Sequence, residues 1–83
     1  MTTTTMNFTV YSKDGCPYCT KIVQLLDLKE FQYVEYKLDR DFDKNGFYGQ
    51  FGEGSTFPQV TLNGQNLGGC TDTISYLKEN QLV

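Results

Sequence analysis

Two closely spaced cysteines are the most reactive feature of the sequence. Cys16 and Cys19 belong to the run Cys16-Pro17-Tyr18-Cys19, which follows a predicted strand and opens a predicted helix. A sulfur at a helix start meets free N–H groups and the positive end of the helix dipole, which favour the nucleophilic thiolate. Lys13 adds a positive charge nearby. The spacing therefore predicts that Cys16 attacks and that Cys19, one turn inward and less exposed, resolves the intermediate by forming a disulfide.

A zinc half-site is the alternative interpretation of such a pair. Zinc sites usually take four ligands, and beyond the pair the chain offers only Cys70 and no histidine. The absence of histidine also excludes a Ser-His-Asp triad and a Cys–His dyad. These counts favour redox chemistry, so we expect no metal site.

Composition limits the class of protein further. The chain has 83 residues, of which 39% are hydrophobic and 14% aromatic, as suits one small domain with a packed core. Its net charge of −3 disfavours a nucleic-acid partner. Three cysteines are too few, and odd in number, for a secreted disulfide scaffold. No apolar run predicts a membrane span or a signal peptide. We therefore expect a cytoplasmic protein without a membrane partner.

The first half of the chain predicts the strand and helix that hold the cysteine pair. Residues 7–12 alternate as a strand does. A helix follows from Pro17 to about residues 28–31, with apolar residues at i, i+4, i+7 and i+8 from Tyr18. Residues 33–38 alternate again, with Val34, Tyr36 and Leu38 on one face. This βαβ unit predicts parallel strands with a right-handed crossover.

The second half predicts a hairpin between two helices. Residues 39–55 contain four glycines, so we expect a short or irregular helix that buries Phe47 and Phe51. Residues 59–62 and 65–67 form strands around Asn63-Gly64, a type I′ turn signal. A last helix spans about 71–80, with Cys70, Ile74 and Leu77 facing inward. The predicted order is βαβαββα, an α/β fold whose four-stranded mixed sheet is flanked by helices. Residues 1–6 are expected to be a flexible lead-in and residues 7–83 a single domain.

Three separated motifs resemble the glutaredoxins. Besides Cys16-Pro17-Tyr18-Cys19 with Lys13 before it, Thr56-Phe57-Pro58 is similar to the family's Thr-Val-Pro segment. The run Gly68-Gly69-Cys70-Thr71-Asp72 is similar to its Gly-Gly-x-x-Asp segment. The resemblance covers nearly the whole chain and implies a thioredoxin-like fold with glutathione-dependent disulfide exchange.

The resemblance also implies a glutathione site. Pro58 would be cis, and the Phe57 main chain would pair with the tripeptide like an added strand. The N–H groups of Cys70 and Thr71 would meet the γ-glutamyl end, whose amino group Asp72 would take. The complete implied set of glutathione contacts is Lys13, Tyr18, Thr56, Phe57, Pro58, Gly69, Cys70, Thr71 and Asp72. The implied partners are glutathione and disulfide-bonded or glutathionylated proteins, with ribonucleotide reductase as one candidate, and the chain is expected to be a monomer.

Each of these residues also has a purely structural interpretation. Lys13 could be a solvated loop charge, Thr56 could support the turn before Pro58, and Tyr18 could lie in the core. Either Thr71 or Asp72 could serve as a helix N-cap. Cys70 is interpreted as a small buried side chain, with a regulatory thiol as the alternative.

One departure from the family bears on affinity. Glutaredoxins often carry Arg, Lys or Gln in the second helix to meet the glycyl carboxylate of glutathione. Residues 46–55 contain no basic residue, which leaves Lys13, Lys44 or Gln50. We therefore expect modest glutathione affinity.

Two alternative functions stay open at this level. The first is a glutaredoxin-like electron donor that thioredoxin reductase reduces. The second is an iron–sulfur or zinc module, against which Pro17 argues, because cluster-binding glutaredoxins typically lack that proline.

Overall fold

A four-stranded mixed sheet forms the centre of the molecule. In the computed structural model, which describes residues 6–81, the strands are β1 (Asn7–Ser12), β2 (Gln32–Lys37), β3 (Gln59–Leu62) and β4 (Gln65–Gly68). Their spatial order is β2-β1-β3-β4, with β1 parallel to β2 and the other neighbours antiparallel. This arrangement confirms the predicted mixed sheet and the parallel βαβ unit.

Three helices complete the predicted order of elements. They are α1 (Pro17–Leu28), α2 (Lys44–Phe51) and α3 (Cys70–Glu79). The last helix begins one residue before the predicted start. The second strand also begins and ends one residue earlier than predicted. It ends early because Leu38 leaves the strand and forms an isolated bridge with Phe42.

The main core lies between the sheet and the α1–α3 pair. The helices cover the face from which the even-numbered side chains of β1 project, as side-chain alternation along a strand requires. The buried core members are Phe8, Val10, Ile22, Leu26, Val60, Leu62, Cys70 and Leu77. Met6 packs against this cluster, so the packed part starts one residue earlier than the predicted lead-in allowed. The rest of that lead-in, residues 1–5, lies outside the described residues.

The short helix α2 lies on the opposite face of the sheet. Asp43 caps it, since its Oδ1 accepts a hydrogen bond from the Gly46 N–H at 2.7 Å. Phe47 is buried and Phe51 half-buried, and the Phe51 ring centroid lies 5.0 Å from that of Tyr11 on β1. The structure thus confirms the predicted helix despite its glycines.

The edge strand and the hairpin complete the sheet. Val34 and Tyr36 share a face of β2, but that face is the exposed one, while Tyr33 packs against the core. At the β3–β4 turn, Asn63 and Gly64 have φ values of 50° and 87°, as a type I′ turn requires. Within residues 6–81, none of the helices has the length and apolar content needed to cross a bilayer.

Candidate active site

The two cysteines of the pair form a disulfide at the start of α1. Their Cα atoms are 5.2 Å apart. Cys16 is the N-cap residue, Pro17 follows in the first turn, and the Cys19 N–H donates a hydrogen bond to the Cys16 sulfur at 3.2 Å. The exposed fraction is 8% for Cys16 and 2% for Cys19. The predicted asymmetry is therefore present, with the less exposed cysteine one turn inward.

The loop before Cys16 is anchored where it leaves β1. Ser12 is fully buried, and its hydroxyl donates a hydrogen bond to Glu35 Oε2 at 2.8 Å. Gly15, with a φ of 72°, lets the chain turn into the helix. The hydrogen bond of Ser12 therefore fixes the end of the strand from which the loop to Cys16 starts.

A cavity of about 210 Å³ opens beside the first turn of α1. Its walls come from three segments: Tyr18, residues 56–58, and residues 69–72. Eight of the nine predicted glutathione contacts line this cavity, and Lys13 is the exception. Tyr18 is 60% exposed, so the alternative that places it in the core is wrong. The roles of these residues in binding stay predictions.

The middle wall of the cavity contains a cis peptide bond between Phe57 and Pro58, as the resemblance implied. The Gln59 side-chain amide donates to the Thr56 carbonyl at 2.9 Å and closes the turn before the proline. Across the cavity, Gly69 packs against this wall, since a Cβ built on it would lie 3.5 Å from the Pro58 carbonyl oxygen. The wall and the start of α3 are therefore in direct contact.

The third wall is the first turn of α3. Gly69 is the N-cap, and its N–H donates to Asp72 Oδ2 at 3.4 Å, so neither Thr71 nor Asp72 takes the N-cap position. Glycine has no side chain to mark it as a cap, which is why the sequence favoured its neighbours. Residues 69–72 line the cavity with the first turn of a helix, whose N–H groups lack partners within the helix, and such a turn suits an anionic group.

Cys70 belongs to both the cavity wall and the core. It is 5% exposed, and burial raises the pKa of its thiol, an effect that the positive charge of Lys21 partly offsets. Because a raised pKa keeps the sulfur protonated, this thiol is a poor nucleophile. The structural interpretation of Cys70 fits these observations better than a regulatory one.

Phe57, which lines the cavity, stacks with Phe42 and Phe47. The Phe57 ring stacks on Phe47, with centroids 4.2 Å apart and planes 11° apart, and more distantly on Phe42 at 6.2 Å. The Lys13 ammonium lies 5.4 Å from the centroid of the Phe57 ring. The family resemblance implied a main-chain role for Phe57 and did not predict this side-chain contact. The one signal was a bulky ring where the family motif has valine.

The other groups considered for the glycyl carboxylate lie elsewhere. Gln50 Nε2 donates a hydrogen bond to Tyr11 Oη at 3.4 Å, and neither Gln50 nor Lys44 lines the cavity. Within the described part of the chain, no three Cys, Asp or Glu side chains gather in a way that could hold a metal ion.

Comparisons with known proteins agree with this geometry. The sequence model of the family described as Glutaredoxin matches residues 8–67. The chain is 35% identical over 77 residues to a glutaredoxin of Ricinus communis, covering 89% of this chain and 76% of that protein. It is also 35% identical over 75 residues to glutaredoxin 1 of Rickettsia prowazekii, covering 88% and 79% of the two chains.

A solved structure extends the likeness to three dimensions. The crystal structure of a buckwheat glutaredoxin–glutathione complex superposes with a TM-score of 0.71 at 28% identity, covering 90% of this chain and 71% of the other. The sequence match, the sheet order and the cysteine pair at a helix start lead to one assignment. This chain belongs to the glutaredoxin family of thiol–disulfide oxidoreductases.

Proposed function

We propose that the protein uses glutathione to reduce protein disulfides and glutathione mixed disulfides through Cys16 and Cys19. The observation that carries the proposal is the cavity beside the pair, which gathers Tyr18, residues 56–58 and residues 69–72. A tripeptide disulfide held there would lie next to the attacking sulfur. The glutathione complex of the buckwheat relative supports the same choice of co-substrate.

The reduction of a glutathione mixed disulfide needs only Cys16. Its thiolate attacks the glutathione sulfur, so the substrate leaves as a thiolate that takes up a proton, and Cys16 carries glutathione in a disulfide. The thiolate of a second glutathione attacks that disulfide and releases oxidised glutathione. Cys16 is then a thiolate again. The net change consumes one free glutathione, which leaves as oxidised glutathione together with the glutathione of the mixed disulfide, while the substrate is released as a thiol.

Protein disulfides would use both cysteines. Cys16 attacks one sulfur of the substrate, and Cys19 attacks the resulting mixed disulfide, releasing the reduced protein and leaving the Cys16–Cys19 disulfide described here. Two glutathione molecules then reduce this disulfide in turn. We include ribonucleotide reductase among the candidate protein substrates, and we propose that the chain acts as a monomer in the cytoplasm.

The γ-glutamyl and cysteinyl parts of glutathione have proposed partners. The γ-glutamyl carboxylate would accept hydrogen bonds from the Cys70 and Thr71 N–H groups, and Asp72 would face its ammonium. The Phe57 main chain would pair with the cysteinyl residue of the tripeptide. Lys13 and Tyr18 would border the site on the side of the reactive sulfur.

The test is turnover of a small glutathione mixed disulfide with glutathione, glutathione reductase and NADPH. Wild type should be active, Cys16→Ser inactive, and Cys19→Ser still active, because the second glutathione replaces the resolving cysteine. A wild type that is inert with glutathione but accepts electrons from thioredoxin reductase would contradict the proposal while leaving the fold assignment intact.

A further inference from the structure

We propose that the Phe57 side chain is a positioning residue that holds the Lys13 ammonium at the edge of the cavity, where it binds a carboxylate of the ligand. This inference rests on the proposed function and adds a specificity role to a side chain whose ring the family motif lacks. The residue acts through Lys13 and need not touch the reacting sulfur.

The Phe57 ring is held in place from behind. Phe47 is 2% exposed and stacks face to face on Phe57 at 4.2 Å, while Phe42 and Phe51 pack on Phe47 at centroid distances of 5.8 and 5.1 Å. A ring confined in this way keeps one orientation. The face it offers to Lys13 is therefore set by the packing of α2 on the sheet.

The Lys13 ammonium is attracted to that face without losing its hydrogen-bonding capacity. A cation within about 6 Å of a ring centroid is drawn by the ring quadrupole, and the separation here is 5.4 Å. The ion pairs found within residues 6–81 join Lys37 to Asp14 and Arg40 to Asp41, so no carboxylate of this described part neutralises Lys13. Its N–H groups remain available to a ligand carboxylate.

Lys13 is placed where it can supply a positive charge for the glycyl carboxylate of glutathione. Residues 46–55 carry no basic side chain, and Lys44 at the start of α2 does not line the cavity. Lys13 precedes the reactive pair and lies over a residue of the cavity wall. A lysine on a flexible stem loses conformational freedom when it binds, and a ring that restrains it beforehand reduces that loss.

The experiment compares two small mixed disulfides as substrates, one made with glutathione and one with its glycyl monoester, which lacks the glycyl negative charge. Glutathione is the reductant of both. The quantity measured is the ratio of kcat/KM for the two mixed disulfides in wild type, Phe57→Leu, Phe57→Tyr, Lys13→Gln and the Lys13→Gln/Phe57→Leu double variant. Leucine removes the ring but keeps an apolar side chain, and tyrosine keeps the ring.

We expect Phe57→Leu to lower the preference for glutathione over the ester about two- to fivefold, the range of an exposed cation–π contact. Phe57→Tyr should keep the wild-type preference. Phe57→Leu should cause no further fall in the preference when Lys13 is already replaced by glutamine. Proton NMR gives a second readout, since the Lys13 ε-methylene should show an upfield ring-current shift that is lost in Phe57→Leu.

Active wild type with an unchanged preference in Phe57→Leu would overturn this inference and leave the proposed function standing. So would equal losses with both mixed disulfides, which would indicate a structural role alone, or an absent ring-current shift. A wild type inert with glutathione would overturn both proposals, so the two failures are distinguishable.

Discussion

The Cys19 N–H donates a hydrogen bond to the sulfur of Cys16 at 3.2 Å, across one turn of α1. Cys19, the resolving residue, thereby supplies a hydrogen-bond donor to the sulfur of Cys16, the attacking residue. In the reduced protein the same donor, together with the helix N-terminus, would stabilise negative charge on the Cys16 sulfur. Cys70 also lies in the first turn of a helix, but burial opposes charge on its sulfur.

The contrast between these two thiols predicts their order of alkylation. In the reduced protein at pH 7, limiting iodoacetamide should modify Cys16 at least about ten times faster than Cys70, because only the thiolate reacts. Peptide mass spectrometry against time measures both rates. Unfolding in urea is the control and should bring the rates together, whereas equal rates in the native protein would contradict the prediction.

The raised pKa of Cys70 predicts a loss of stability in alkaline solution. The folded protein holds this proton more tightly than the unfolded chain, so the unfolded chain ionises first as the pH passes the ordinary value of 9.0. The contribution of Cys70 is fully present below that pH and declines above it, by at most about 1.4 kcal/mol per pH unit.

Urea unfolding of the oxidised protein at several pH values between about 7 and 11 measures this effect. The Cys70→Ala variant is the control, because it shares every other titrating group. The difference in unfolding free energy between wild type and variant should stay constant up to about pH 8 and then decline. A difference in unfolding free energy that does not change with pH would contradict the raised pKa of Cys70.

Gly68 and Gly64 form a matched pair for substitution. Both have positive φ, at 105° and 87°, but a Cβ at Gly68 would lie 2.6 Å from Asp72 Oδ2, whereas one at Gly64 would meet nothing within 4 Å. Gly64→Ala should cost the backbone strain alone, about 1–3 kcal/mol. Gly68→Ala should cost about 1 kcal/mol more, because Asp72 must move and release the Gly69 N–H. Equal losses in urea unfolding would show that Asp72 moves without cost.

The two roles of Asp72, accepting a hydrogen bond from the Gly69 N–H and binding the ammonium of glutathione, can be tested separately. Asp72→Asn keeps an acceptor for the Gly69 N–H and should lower stability by only about 0.3–1 kcal/mol through the lost charge at the helix start. If the carboxylate also faces the ammonium of glutathione, the KM for a glutathione mixed disulfide should rise about tenfold. Asp72→Ala is the reference for loss of both roles. An unchanged KM in Asp72→Asn would leave Asp72 with the cap role alone.

Local patterns made much of this fold predictable. The alternation in β1, the apolar spacing from Tyr18 through Leu26 and the Asn63-Gly64 turn each depend on neighbours in the chain, and the structure has each of these elements. The three motifs also identified the residues that meet at the cavity. The bounds of β2 differed by one residue from those predicted, and at its end Leu38 forms an isolated bridge with Phe42 instead of continuing the strand.

The contacts that the sequence did not reveal are those between distant segments. The stacking of Phe57 on Phe47 joins a loop to a helix, and the contact of Lys13 with the same ring joins two loops 44 positions apart. No local pattern marks these two contacts.

The N-cap of α3 was also misplaced, although its partners are close in the chain. Gly69 takes that position through its backbone while Asp72 supplies the side-chain bond.

The cavity is built from Tyr18, residues 56–58 and residues 69–72, and so it joins parts of the chain made early and late in synthesis. Any molecule that binds there acts as a removable cross-link between the two halves of the domain. At ten times its dissociation constant such a ligand adds about 1.4 kcal/mol to the free energy of unfolding. The protein would therefore resist heat and proteolysis best when its co-substrate is abundant, and its lifetime would follow the supply of that co-substrate.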